Sequence, residues 1–157
     1  MRGDNNMKIL VCTDGSKESL KAIEEACKIA DGCKVNEVSV IHVYEGKVNL
    51  PIGIFGYGYH PTNEDLVEFK KAHEEAKEKS KESLLEAEKI FQAKNITVNT
   101  IFQQGSPAEV ITAVAEDQGF DLIVLGRRGI SGAKKLFLGS VSNAVLQQAN
   151  TSVLIVK

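Results

Sequence analysis

Five short apolar runs, each followed by a stretch with helical periodicity or by the end of the chain, leave few folds open. The runs are Lys8–Thr13, Val35–Val43, Ile96–Phe102, Asp121–Leu125 and Ser152–Val156. They are rich in Val and Ile, and Leu122–Leu125 is unbroken, as a strand buried on both faces must be. Between the first two, Leu20, Ile23, Cys27 and Ala30 recur on one helical face. Ser16 is placed to cap that helix and Asp31-Gly32 to end it. A long helix is expected over Glu64–Lys94, with a seam of Leu66, Phe69, Ala72, Ala76, Ser80, Leu84, Ala87 and Phe91. Pro107 opens a third helix with Ser106 as its cap, Val110, Ile111, Val114 and Ala115 on its buried face, and Gly119 as its stop. Gly139-Ser140 opens the last, with Val141, Ala144, Val145 and Gln148 at helical spacing. Strands joined through helices run parallel with right-handed crossovers. The expected fold is therefore α/β: an open, doubly wound, five-stranded parallel sheet with helices on both faces, Rossmann-like in type. It would span residues 7–157 as one domain, with residues 1–6 as an N-terminal extension. Ligands of such sheets bind beyond the carboxyl ends of the strands, where the strand order reverses. The loops there are Asp14–Ser16, Tyr44–Asn63, Gln103–Ser106 and Gly126–Gly139.

The composition narrows the function. No run approaches the ~20 apolar residues of a membrane helix, and Met1–Asn6 has no apolar core, so neither a membrane segment nor a signal peptide is expected. The three cysteines include no C-x-x-C pair, which fits a reducing compartment and a cytoplasmic protein. His42, His60 and His73 lie too far apart in the chain to suggest a zinc site. A net charge of −2 argues against a general nucleic-acid binder. The charge is unevenly spread, however. Residues 122–157 contain no acid and five cations, Arg127, Arg128, Lys134, Lys135 and Lys157. Four of the five fall between Gly126 and Gly139, a local cationic loop suited to a small anionic ligand.

That loop, GRRGISGAKKLFLGS, runs from a buried strand into a helix. Gly126 and Gly129 are expected to adopt backbone angles closed to other residues and to let a phosphate approach the main chain. Gly139, Ser140 and Val141 would offer free N–H groups at a helix N-terminus, an anion site by geometry and dipole, and Ser140 and Ser142 would add hydroxyl donors. There is no G-x-x-x-x-G-K-[ST], and the turn after the first strand is Thr13-Asp14-Gly15-Ser16 rather than G-x-G-x-x-G, so the common phosphate-binding fingerprints are absent. Taken alone, Asp14 reads equally as an Asx-turn or helix cap and the loop cations equally as solvated side chains, while His42 reads as a structural histidine.

In G-x2-G-x9-G-[ST], met by Gly126, Gly129, Gly139 and Ser140, the chain resembles the universal stress proteins of the ATP-binding branch. Further matches are the Asp14 turn, His42-Val43 ending the second strand, Gly105-x-Pro107 and the closing Ser152–Val156. Thr13 is a departure, since some ATP-binding members carry proline before the aspartate. The resemblance implies a nucleotide site built from Thr13, Asp14, Val43, Gly126, Arg127, Gly129, Gly139, Ser140, Val141 and Ser142. In it Asp14 would lie near base and ribose or hold Mg²⁺ on the phosphates, the Val43 backbone would contact adenine, Gly126 would approach the ribose, and the residues from Gly129 onward would meet the phosphates. It implies ATP, ADP or AMP as ligand, a stress-response sensor or regulator with at most slow hydrolysis, and a homodimer through residues 152–156. Two other readings compete. One is a nucleotide-free dimeric interaction module of the same fold. The other is a phospho-acceptor receiver domain, which lacks its acidic pair, its third-strand Asp and its fifth-strand Lys here.

Overall fold

A computed structural model describes residues 7–35, 37–46, 62–129 and 137–157. The elements run β1 (Lys8–Cys12), α1 (Lys17–Cys33), β2 (Glu37–Tyr44), α2 (Asn63–Gln92), β3 (Val98–Gln104), α3 (Pro107–Asp117), β4 (Leu122–Gly126), α4 (Ser140–Gln148) and β5 (Ser152–Val156). The sheet is parallel throughout in the order β3-β2-β1-β4-β5, the open doubly wound arrangement the alternation predicts. The order reverses at β1, so a crevice opens above its carboxyl end.

Strand periodicity divides the core in two. Ile9, Val11, Val38, Val40 and Val124 face α1 and α2, packing with Ala22, Ile23, Leu84 and Phe91. Leu10, Cys12, Ile41, Ile123 and Leu125 face α3 and α4, packing with Ile111, Val114 and Val145.

Several local expectations need correction. Helix α1 continues through Gly32 to Cys33, and Lys34 takes the left-handed cap (φ 54°, ψ 47°), its N–H bonding the Ala30 carbonyl. Ser16 does cap α1, its hydroxyl accepting from the Ser19 N–H at 3.1 Å. Ser106 holds the N-cap position of α3 but makes no side-chain cap bond; Pro107, which has no N–H to satisfy, opens the helix beside it. Gly119, at φ 67°, ends the segment. In α2 only the C-terminal half of the expected seam is buried: Ser80, Leu84, Ala87 and Phe91. Leu66 is 47% exposed and Ala72 is exposed, because a helix of 30 residues outruns a sheet of short strands. Its free end is held by a capping box in which Thr62 and Asp65 bond each other's backbone N–H.

Candidate functional site

A cleft of about 370 Å³ opens above the carboxyl ends of β1, β2 and β4. Three chain segments build it. Cys12, Thr13 and Asp14 carry β1 into its turn, Ile41 to Glu45 end β2, and Leu125 and Gly126 end β4 and lead through Arg128 and Gly129 to Gly139–Ser142 at the start of α4. Pro107 and Ile111 of α3 close the apolar side. Thr13, Asp14, Val43, Gly126, Gly129, Gly139, Ser140, Val141 and Ser142, separated by up to 129 positions in the chain, all line this one cleft. Arg127 does not. Lys134 and Lys135, most of the Tyr44–Asn63 connection and residues 1–6 lie outside the described residues.

At β2 the strand ladder exposes a recognition edge. The Ile41 carbonyl accepts from the Thr13 N–H at 2.9 Å, on the β1 side, and the Tyr44 carbonyl accepts from the Gly105 N–H at 2.9 Å, on the β3 side. Successive residues of a parallel strand turn their N–H and C=O to opposite neighbours. Val43 therefore directs both groups to the β1 side, where β1 has already turned away into α1.

At the other end the N-terminus of α4 enters the cleft. The Gly139 N–H is taken by the Arg127 carbonyl at 2.8 Å, so the donors left to an anion are those of Ser140, Val141 and Ser142, one residue later than expected. The buried Ser142 hydroxyl donates to the Gly126 carbonyl at 2.7 Å; its proton is committed to the fold rather than to a ligand. Ser140, by contrast, is exposed on the first turn.

The three spaced glycines Gly126, Gly129 and Gly139 owe their identity to crowding, not to unusual backbone angles. None of Gly126, Gly129 and Gly139 has positive φ. A Cβ on Gly126 would come within 2.6 Å of the Glu18 carbonyl oxygen, and one on Gly139 within 3.2 Å of the Arg128 Cα. A Cβ on Gly129 would strike the Asp14 carboxylate. Asp14 itself accepts from the Ser16 N–H at 2.9 Å, the Asx-turn that the sequence left open.

The polar surroundings set the protonation states. Ser80 donates its hydroxyl proton to the Ala76 carbonyl at 2.9 Å, so at its 3.0 Å contact with His42 it accepts from Nε2–H. Burial holds the His42 pKa below its ordinary value, with the Asp14 charge opposing. Burial, and secondarily Asp14, push the Cys12 thiol far above its ordinary range, so Cys12 is an inert wall of the cleft. Among the described residues, no group of three His, Cys, Asp or Glu side chains could hold a metal.

The sequence reading gave no place in the cleft to Tyr44, Glu45, Pro107 and Ile111, and singled out Arg128 only as one of four loop cations. Arg128 had a signal, since side chains alternate as the chain leaves β4. The contribution of α3 had none, because only the sheet order brings that helix over β1.

The universal stress protein family model matches residues 5–157. Universal stress protein YxiE of Bacillus subtilis is 38% identical over 157 residues, covering 96% of this chain and 98% of its own. Universal stress protein MJ0577 of Methanocaldococcus jannaschii is 34% identical over 158 residues, covering 96% of this chain and 94% of its own. A solved structure of MJ0577 superposes with a TM-score of 0.76 at 27% identity, covering 97% of this chain and 96% of that one. The universal stress protein from Archaeoglobus fulgidus, solved in complex with dAMP, shares the fold with a TM-score of 0.64 at 23% identity, covering 96% of this chain and 98% of its own. With a family model matched along nearly its whole length and relatives above 30% identity over nearly all of theirs, the chain belongs to the universal stress protein family.

Proposed function

We propose that the cleft binds an adenine nucleotide, ATP foremost, and that the protein acts as a nucleotide-dependent regulator rather than as a dedicated enzyme. The observation that carries this is the polarity of the cleft. One end presents the N–H and C=O of Val43 beside the apolar Ile111 and Leu125, suited to the edge and face of a purine. The other presents the first N–H groups of α4, suited to phosphate. A volume of about 370 Å³ falls within the ~300–1,000 Å³ usual for small-molecule sites. A family relative that holds dAMP supports the same ligand class.

Asp14 is the residue here that would hold Mg²⁺. A carboxylate outside any described group of three metal-binding side chains suits an ion that arrives on phosphates, because Mg²⁺ is commonly held by one or two carboxylates plus substrate oxygens. Bound there, the ion would neutralise phosphate charge. Phosphoryl transfer also requires a group that positions the attacking nucleophile. Of the described cleft residues, His42 is tied through Nε2 to Ser80 and Asp14 to the Ser16 N–H. Retention of nucleotide with slow turnover at most follows from that.

The sheet ends at β5, whose Val153–Val156 are half-buried. An apolar edge strand of this kind suits pairing with a second copy, giving a homodimer. Three free cysteines suit a reducing, cytoplasmic location, and no described helix is long and apolar enough to cross a membrane.

Calorimetry with ATP and Mg²⁺ tests the reading. Saturable binding of one nucleotide per chain is expected, and absence of binding at millimolar nucleotide rejects it. Nucleotide released on denaturation and identified by mass spectrometry would separate this reading from that of an empty interaction module.

A further inference from the structure

Two arginines follow Gly126, and the fold sends them different ways. Arg127 donates its N–H to the Val156 carbonyl and accepts from the Gly139 N–H, both at 2.8 Å. Its backbone is thereby stitched between β5 and the cap of α4, and it is absent from the cleft wall. Arg128 lines the cleft. The two share one property: each has a buried Nε with no hydrogen-bond partner among the described residues. A buried guanidinium N–H without an acceptor is costly, and only for Arg128 does the binding cleft adjoin it.

Charge makes the same selection. The described charged residues of the cleft are Asp14, Glu45 and Arg128, so among them Arg128 alone attracts a polyphosphate directly. Position agrees as well. The Arg128 Cα lies 3.2 Å from where a Gly139 Cβ would stand, which seats residue 128 directly beside the N-terminus of α4. Residue 128 and the first N–H groups of α4 thus line the cleft side by side.

We infer that Arg128, rather than Arg127, reads the phosphate chain of the ligand and sets its preference for more phosphorylated nucleotides. This rests on the nucleotide reading of the cleft and deepens it. The planar fork of arginine suits two phosphate oxygens at once, where lysine supplies a point charge. Its action grows with the number of phosphate charges in reach and vanishes for a nucleoside.

Calorimetry with adenosine, AMP, ADP and ATP, each with Mg²⁺, tests this on the parent chain and on Arg128→Ala, Arg128→Lys and Arg127→Ala, with circular dichroism as the folding control. The parent is expected to bind more tightly along the series. Arg128→Ala should lose about 10- to 100-fold for ATP, the worth of a charge-assisted hydrogen bond, and leave adenosine unchanged. Arg128→Lys should fall between the two, and Arg127→Ala should follow the parent. If Arg128→Ala keeps the parent's full dependence on phosphate number, or if Arg127→Ala alone flattens it, the assignment is overturned while the nucleotide reading survives. If the parent binds none of the four, both fall together.

Discussion

Glycine 126 is needed for its missing side chain. A methyl there would press on the main chain of Glu18 in the first turn of α1, at 2.6 Å from its carbonyl oxygen, and backbone cannot swing aside as a side chain can. Gly126→Ala should therefore destabilise the fold by roughly 1–3 kcal/mol, the usual cost of overpacking, seen as a lower urea midpoint. In Gly129→Ala the methyl meets the Asp14 carboxylate instead, so the expected loss is in Mg²⁺–ATP affinity, with the urea midpoint close to the parent's. Equal stability losses in the two variants would contradict this division. His42 gives a residue-scale pH dependence. Its folded pKa lies below the ordinary 6.5 because of burial, so the folded chain takes up this proton less readily than the unfolded chain. The contribution of neutral His42 is fully present above pH 6.5 and declines as the pH falls below that value, until the lowered folded pKa is passed. Urea midpoints measured between about pH 7 and pH 5 should fall more steeply in the parent than in His42→Gln. Parallel curves would mean that His42 titrates alike in both states.

The element scale shows what a sequence displays and what it withholds. Patterning marked the nine described elements, most firmly β1, β2 and β4, because a strand between two layers must be apolar and a helix on a sheet must be apolar on one side. Their ends were harder to place. Gly32 looked like the stop of α1, yet Lys34 takes the left-handed cap two residues later; periodicity carries no information on which of several nearby residues closes a helix. In α2 the seam pattern continues past the point where there is any sheet to pack on. Phe91 is fully buried and Leu66 is 47% exposed, although both lie on the same seam. Phe91→Ala should therefore cost about 3–5 kcal/mol, whereas Leu66→Ala should stay within about 0.5 kcal/mol of the parent, as measured by chemical denaturation. Similar losses at both positions would show that the projecting half of α2 is packed against something. The candidate site was legible where it is contiguous, in the loop from Gly126 to Ser142. It was obscure where strand order assembles it, as with Pro107 and Ile111. The choice between Arg127 and Arg128 needed the ladder to β5, since only the bond to Val156 shows which arginine is drawn toward the edge.

For the whole molecule, the proposed homodimer rests on the edge strand β5. The Val156 carbonyl accepts from the Arg127 N–H, so Val156, Leu154 and Ser152 address β4, and Val153 and Ile155 turn their N–H groups outward. Lysine at 154 or 156 is a poor probe of pairing, because both side chains pack on the core shared with α1 and α2. Proline at 153 removes an outward donor and leaves the β4 ladder intact, a placement that edge strands tolerate. Val153→Pro is expected to shift sedimentation from the mass of two chains to that of one while circular dichroism is retained. A dimer that persists would place the interface on another surface. The same end of the sheet has one more property. The 2.8 Å bond between the Gly139 N–H and the Arg127 carbonyl holds residues 127 and 139 together, and the cleft-lining Arg128 and Gly129 follow directly on it. Foreign sequence spliced between Gly129 and Gly139 would lengthen a segment whose ends are already held, and doubling a loop's length costs only about 0.6 kcal/mol of closure entropy. A grafted epitope or reporter peptide placed after Gly129 would thus be carried beside the proposed nucleotide cleft at small cost in stability.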